Sequence, residues 1–213
     1  MSFNVHARRV RDERLTVARR GSALGSAIVL YCPFGYGSTR DFLGLGGDIR
    51  RDPRAMVAAL ELLERSRDAR TAERAAFARR RAREKRTVHR RTPTATDRAW
   101  LTAPRWAGPD QHHAHRAMVL RWSCLPVPTA EELRRDGLTD LEREVTAQVD
   151  AYLAAGRPHP EAAAVLGALL PRLRAAGLRT RGADRASRLT VRADQLRMMA
   201  ELVHWDRGGT PEL

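Results

Sequence analysis

The sequence is poor in lysine, cysteine and aromatic residues. Of 39 basic residues only Lys85 is a lysine, and aromatic residues make up 5% of the chain. The two cysteines, Cys32 and Cys124, can form at most one disulfide. This argues against a disulfide-rich secreted scaffold and fits a reducing compartment. The sequence therefore predicts a cytoplasmic protein.

Long apolar runs are also missing. A membrane-spanning helix needs roughly 18 to 20 apolar residues, and the nearest candidate, Ala23 to Cys32, is much shorter. Arg19 and Arg20 precede this run in the manner of a secretion signal. However, Asp12 and Glu13 lie in the leading segment, and the bulky Tyr31 stands where a cleavage site needs a small residue. We predict neither a membrane span nor a signal peptide.

Positive charge is what the sequence has in excess. The formal net charge is +14, because 39 basic residues face 25 acids. Residues 65–91 contain twelve basic residues and three acids, whereas residues 129–150 contain seven acids and three arginines. A segregated basic excess predicts a polyanionic partner, such as nucleic acid or an acidic membrane surface.

The hydrophobic pattern predicts a mainly α fold with two small helical modules. Residues 1–86 form an N-terminal module that includes an arginine-rich helical arm. Residues 87–116 contain Pro93, Pro104 and Pro109 and are predicted to be a linker or irregular joint. Residues 117–213 form a C-terminal helical module with a short β-hairpin.

The N-terminal module begins with apolar residues at helical spacing. They predict one helix from Asn4 to Tyr31, although the β-branched residues in 24–32 leave a strand open. Pro33 must end either element near Cys32. We interpret the following glycines as a corner, with Ser38 or Thr39 capping a short helix from Asp41 to Leu45.

Two phosphate-loop motifs fail at this corner. Gly35 and Gly37 occupy the first two positions of a dinucleotide fingerprint, but Arg40 replaces the third glycine. Ser38 and Thr39 lack the preceding lysine of a Walker loop. The corner is therefore predicted to be structural.

A long helix is predicted to start at Asp52 and Pro53, an N-cap followed by a first helical position without an amide. Met56, Val57, Leu60 and Leu63 form its packed stripe, and helix-forming residues continue to about Arg86. We expect the first third to pack and the remainder to project.

The C-terminal module is predicted from caps and turns. Capping boxes at Thr129/Glu132 and Thr139/Glu142 open two helices that glycines close. The predicted elements are a strand from Ala117 to Ser123, helices ending at Gly137 and Gly156, a helix from Pro160 to Ala176 with a kink at Pro171, a hairpin of Leu178–Arg181 and Arg188–Arg192, and a helix from Asp194 to Trp205.

Part of this module resembles a known DNA-binding fold. The stretch LRAAGLRTRGADRASRLTV, from Leu173 to Val191, resembles the recognition-helix end and wing of winged-helix DNA-binding domains, and the resemblance covers Thr139 to Arg192. It implies a wing that presents four arginines beside a groove. These are Arg179, Arg181, Arg185 and Arg188.

The arginine-rich arm carries the functional prediction. Arginine suits phosphate because its planar donors can engage two oxygens. Only Phe77 supplies an aromatic ring nearby, which favours backbone contacts over base stacking. The predicted phosphate contacts in this segment are Arg79, Arg80, Arg81, Arg83, Lys85, Arg86, Arg90 and Arg91.

We therefore predict a non-enzymatic nucleic-acid-binding accessory or regulatory protein, with no catalytic residue, cofactor or metal. Two alternatives stay open. The first is an assembly protein whose arm binds an acidic protein. The second is a metal-dependent enzyme built on His112, His113 and His115, since imidazoles at this spacing can face a common ion. The choice between DNA and RNA, sequence specificity and oligomeric state also stay open.

Overall fold

A computed structural model describes residues 1–87, 92–103, 105–135, 138–183 and 188–206. Within these ranges the chain is mainly helical and contains no strand. It divides into two compact units, Met1–Ala114 and a C-terminal unit that begins at His115. The helices are α1 (Phe3–Arg11), α2 (Val17–Leu30), α3 (Tyr36–Leu43), α4 (Pro53–Thr87), α5 (Ala95–Thr102), α6 (Gln111–Ser123), α7 (Ala130–Arg135), α8 (Thr139–Ala155), α9 (Pro160–Ala183) and α10 (Arg188–Trp205), with a 3₁₀ turn at Gly44–Gly46.

The predicted first helix is two helices. Asp12 Oδ1 accepts from the Arg14 amide at 3.0 Å, and Thr16 Oγ1 accepts from the Arg19 amide at 3.4 Å. Such short polar side chains compete for backbone amides and interrupt a helix. The Arg20 side chain then donates to the Val10 carbonyl at 2.7 Å and ties α2 to α1. Residues 24–30, which could have been a strand, belong to α2.

The corner after Pro33 turns through Gly35, whose φ of +81° favours glycine. The next helix starts at Tyr36, so the predicted cap and the predicted helix from Asp41 to Leu45 are wrong. Thr39 lies inside α3, and its hydroxyl accepts from the Phe34 amide at 3.2 Å. Phe34 is buried beside Phe42 and Trp106, with ring centroids 6.0 and 5.7 Å away.

The N-terminal unit packs α1 and α2 against the first half of α4. Asp52 Oδ1 accepts from the Arg54 amide at 2.8 Å, which confirms the predicted start of α4. Met56, Leu60 and Leu63 are fully buried. The segment predicted to be a linker contains α5 and the start of α6, and Trp106 within it is fully buried.

In the C-terminal unit the predicted hairpin is wrong, because both of its strands are helical. Leu178–Arg181 lies within α9 and Arg188–Arg192 begins α10. The buried residues explain this: Leu173, Ala176 and Thr180 are three and four positions apart, which is helical and not alternating spacing. The described residues therefore contain no wing of the winged-helix type.

Two further boundaries in this unit differ from the predictions. The predicted strand from Ala117 to Ser123 lies in α6, where Ala114, Met118 and Trp122 are buried four residues apart. The capping box at Thr129 and Glu132 is confirmed by reciprocal bonds of 2.8 and 3.3 Å. The capping box predicted at Thr139 and Glu142 is wrong. Leu138 is the N-cap of α8, and Thr139 is already the first helical residue.

The remaining helix ends agree in part. Gly156 ends α8 in the left-handed conformation, with φ of +66°, as predicted. Gly137 lies outside the described residues. Within the described ranges, no helix is both long enough and apolar enough to cross a bilayer.

Candidate nucleic-acid interface

The basic segment lies on α4, a helix of 35 residues and therefore about 50 Å long. Its second half does not project free. The Phe77 and Trp100 rings stack with centroids 5.5 Å apart, and this contact joins α5 to α4. The two halves of α4 thus have different partners.

α5 also neutralises one predicted phosphate contact. Arg80 donates to Asp97 Oδ1 at 2.5 Å and lies 3.6 Å from Glu84. Asp97 belongs to a capping box with Thr94, which opens α5. Burial acts to raise the pKa of Asp97, but hydrogen bonds from Thr94 and the charge of Arg80 outweigh it and lower the pKa overall. Arg80 is therefore held by a carboxylate that stays ionised.

Arg81 is paired as well. It is buried and forms an ion pair with Glu84, three residues along the same helix. Sequence reasoning counted Glu84 among the three acids of residues 65–91 and assigned it no partner. In the structure Glu84 serves both Arg80 and Arg81.

The remaining basic residues of the arm point to solvent. Arg79, Arg83 and Arg86 are exposed, and their spacing of four and three residues places them on one face of α4. We call these three residues the outer stripe. Among the described residues no carboxylate lies within 4 Å of any of them. Lys85 is also exposed but lies on a different face.

The other predicted contacts do not join the outer stripe. Arg179 and Arg188 are exposed in the C-terminal unit, at the end of α9 and the start of α10. Arg181 lies in α9, but its side chain is outside the described part of the chain. Arg90, Arg91 and Arg185 lie outside the described residues.

Sequence reasoning missed a second arginine cluster. Arg67, Arg70, Arg74 and Arg105 line an open cavity of about 690 Å³ in the N-terminal unit. The first three follow one face of α4 at spacings of three and four residues, a signal that the sequence contains. Arg105 comes from the segment after α5, and no sequence pattern connects it to α4.

Glu73 holds two of these arginines in place. Arg105 donates to both Glu73 carboxylate oxygens at 3.3 and 2.6 Å, and Arg70 donates to Glu73 at 3.3 Å. Arg70 also donates to the carbonyls of Trp100 and Leu101 at 3.2 and 2.9 Å. Burial, followed by the charge of Arg105, lowers the pKa of Arg70, and Glu73 offsets part of this shift. The guanidinium groups are thus crowded and partly desolvated.

The predicted histidine cluster is spread over different surroundings. His115 is fully buried, and its Nδ1 lies 3.1 Å from the Leu202 carbonyl. The His113 ring lies 6.2 Å from the Phe42 ring. No group of three or more His, Cys, Asp or Glu side chains in the described ranges is placed to hold a metal ion.

His115 belongs instead to a buried polar cluster. Tyr152 donates to Asp206 Oδ2 at 2.5 Å, and Asp206 Oδ1 lies 3.9 Å from His115 Nδ1. Burial and the neighbouring Asp206 raise the pKa of Tyr152. Since all three side chains are almost fully buried, the cluster offers no surface to a substrate.

Comparison with protein-family models, with curated proteins and with solved structures finds no match to this chain.

Proposed function

We propose that this protein is a non-enzymatic nucleic-acid-binding accessory or regulatory factor, and that α4 contacts backbone phosphates. The observation that carries the proposal is the outer stripe: three exposed arginines on one helix face, without a carboxylate within 4 Å among the described residues. In the free protein these three arginines gain no ion-pair energy, and their charges repel one another. Phosphate oxygens would supply the negatively charged partners that these arginines lack.

The type of contact follows from the neighbouring aromatic rings. Base stacking on single strands needs a free aromatic face. Phe77, the one aromatic residue beside the stripe, is already stacked on Trp100 at 5.5 Å. Arg79 and Arg86 are separated by about 10 Å along the helix. The stripe is therefore suited to successive phosphates and not to base edges.

Binding of labelled 30-nucleotide single strands and duplexes to the full chain tests this proposal. The test variant is Arg79→Gln/Arg83→Gln/Arg86→Gln, which keeps helix propensity. Near 0.1 M salt, loss of three phosphate contacts should weaken binding by about 100-fold or more.

A charge-matched control separates position from net charge. Arg143→Gln/Arg157→Gln/Arg172→Gln also removes three exposed arginines, but from the C-terminal unit. Arg143 and Arg172 form surface pairs with Asp140 and Glu144, which contribute little to stability. We expect only a small loss of affinity in this control. Equal losses in both variants, or no binding by the unmodified chain, would refute the proposal and favour an acidic protein partner.

A further inference from the structure

The cavity lined by Arg67, Arg70, Arg74 and Arg105 is separate from the outer stripe. It lies between the end of α2, one face of α4 and the segment after α5. Its volume of about 690 Å³ falls within the range of small-molecule sites, roughly 300–1,000 Å³. It is also wholly contained in the N-terminal unit.

The charge in this cavity is unbalanced. No acidic residue lines it, and Glu73 is the one carboxylate within 4 Å of these arginines among the described residues. Four guanidinium groups and one carboxylate leave three positive charges. Arg70 and Arg105 are fixed by Glu73, and Arg67 lies over the Phe3 ring at 4.3 Å and donates to Asn4 Oδ1 at 2.9 Å. Arg74 is exposed. Three arginines are thus held in place, and Arg74 can adjust to a ligand.

The remaining walls define the ligand further. Leu30, Pro33 and Leu101 supply an apolar surface. The Tyr31 ring also lines the cavity, and its hydroxyl is held by Ser66 Oγ at 2.8 Å. Arg67 and Arg74 begin about 10 Å apart along α4, which favours an extended anion over a single carboxylate.

We propose that this cavity binds a ligand with two or more phosphate charges and an apolar part of nucleotide size. Arg67 and Arg74 would contact the phosphate oxygens, while Arg70 and Arg105 supply a fixed positive field. The phosphate can belong to a free nucleotide-like ester or to the 5′-phosphorylated end of a strand. The chemistry of recognition is the same for both sources.

Calorimetric titration of the full chain with pyrophosphate, ADP and adenosine tests the site. We expect pyrophosphate and ADP to bind and adenosine to bind at least 10-fold more weakly than ADP. Arg67→Gln/Arg74→Gln should weaken ADP binding at least 10-fold, and the exposed single variant Arg74→Gln at least 3-fold. The single variant keeps the test decisive if the double variant fails to fold.

The control with the same charge change is Arg79→Gln/Arg83→Gln, in which ADP affinity should stay within 2-fold. Alkylation of Cys32, which lines the cavity, shows where ADP binds. In a Cys124→Ser background, ADP should slow this alkylation when the cavity is otherwise unchanged. It should not slow it when Arg67→Gln/Arg74→Gln is also present. Absence of pyrophosphate and ADP binding at 1 mM would overturn the proposal, as would equal losses in both double variants.

Oligonucleotides with and without a 5′-phosphate identify the source of the ligand. A preference for the phosphorylated strand that disappears in Arg67→Gln/Arg74→Gln assigns the cavity to strand ends. ADP binding without that preference assigns it to a free ester. Either result supports the phosphate site, and neither depends on the outer stripe, whose failure would appear as unchanged duplex affinity in the stripe variant.

Discussion

Arginine has different surroundings in the C-terminal unit and on the outer face of α4. In the C-terminal unit, buried Arg192 donates to both carboxylate oxygens of Glu142, and Arg174 and Arg197 both pair with Glu201. On α4, the outer stripe has no carboxylate within 4 Å among the described residues. These buried or paired arginines of the C-terminal unit therefore serve folding, whereas the outer stripe leaves its charge available for binding.

The largest effect on stability is expected at Arg192, in the C-terminal unit. Arg192 is 3% exposed, and its replacement by methionine leaves the Glu142 carboxylate without its main partner. We expect a loss of about 3–5 kcal/mol in the free energy of unfolding, the usual result of removing half of a buried pair. Urea unfolding followed by circular dichroism measures it.

The double variant Arg192→Met/Glu142→Leu is the control, because it removes both charges and should recover much of the lost stability. A single variant as stable as the unmodified chain would mean that this pair is not structural.

A smaller effect is expected where α5 holds α4. Asp97→Asn removes the charged partner of Arg80 and should cost about 1–2 kcal/mol at neutral pH. Because the folded pKa of Asp97 is lowered, its contribution is complete above its ordinary pKa of about 4 and is lost as pH falls through the folded value.

Unfolding free energies at several pH values check this prediction. The gap between Asp97→Asn and the unmodified chain should narrow in acid, since the native carboxyl then becomes neutral as well. A gap that stays constant or widens as pH falls would contradict the assigned role of Asp97.

The smallest effect on stability is expected within the outer stripe. Arg83→Gln alters an exposed side chain without a described carboxylate partner and should change the unfolding free energy by less than about 0.5 kcal/mol. Arg80→Gln, three residues earlier on the same helix, is its matched comparison and should destabilise more. If the two variants lost equal stability, the distinction between paired and unpaired arginines on α4 would fail.

Local signals predicted parts of this fold well. Asp52 and Pro53 specify the start of α4 by themselves. Thr129 and Glu132, three positions apart, form the capping box of α7. Leu178–Arg181 and Arg188–Arg192 were predicted to be the strands of a hairpin, but Thr180 and Thr190 are buried in helices. Their inward positions depend on the packing of α9 against α10, and so on residues distant in the sequence.

The candidate sites were predictable to a similar degree. Charge counting located the basic half of α4, including all of the outer stripe. It did not separate Arg79 from Arg80. Glu84, four residues after Arg80, is a local partner that counting alone does not assign, and Asp97, the closer partner, is 17 residues beyond Arg80. The place of Arg105 in the cavity could not be predicted either, since its partner Glu73 is 32 residues away in the sequence.

The salt dependence of duplex binding tests the central claim most directly, because its slope counts the phosphates that the protein neutralises. Log affinity should fall with log salt in the unmodified chain. In Arg79→Gln/Arg83→Gln/Arg86→Gln the slope should be smaller by about two to three units, while Arg143→Gln/Arg157→Gln/Arg172→Gln keeps the original slope. An unchanged slope in the stripe variant would show that α4 does not contact the phosphates.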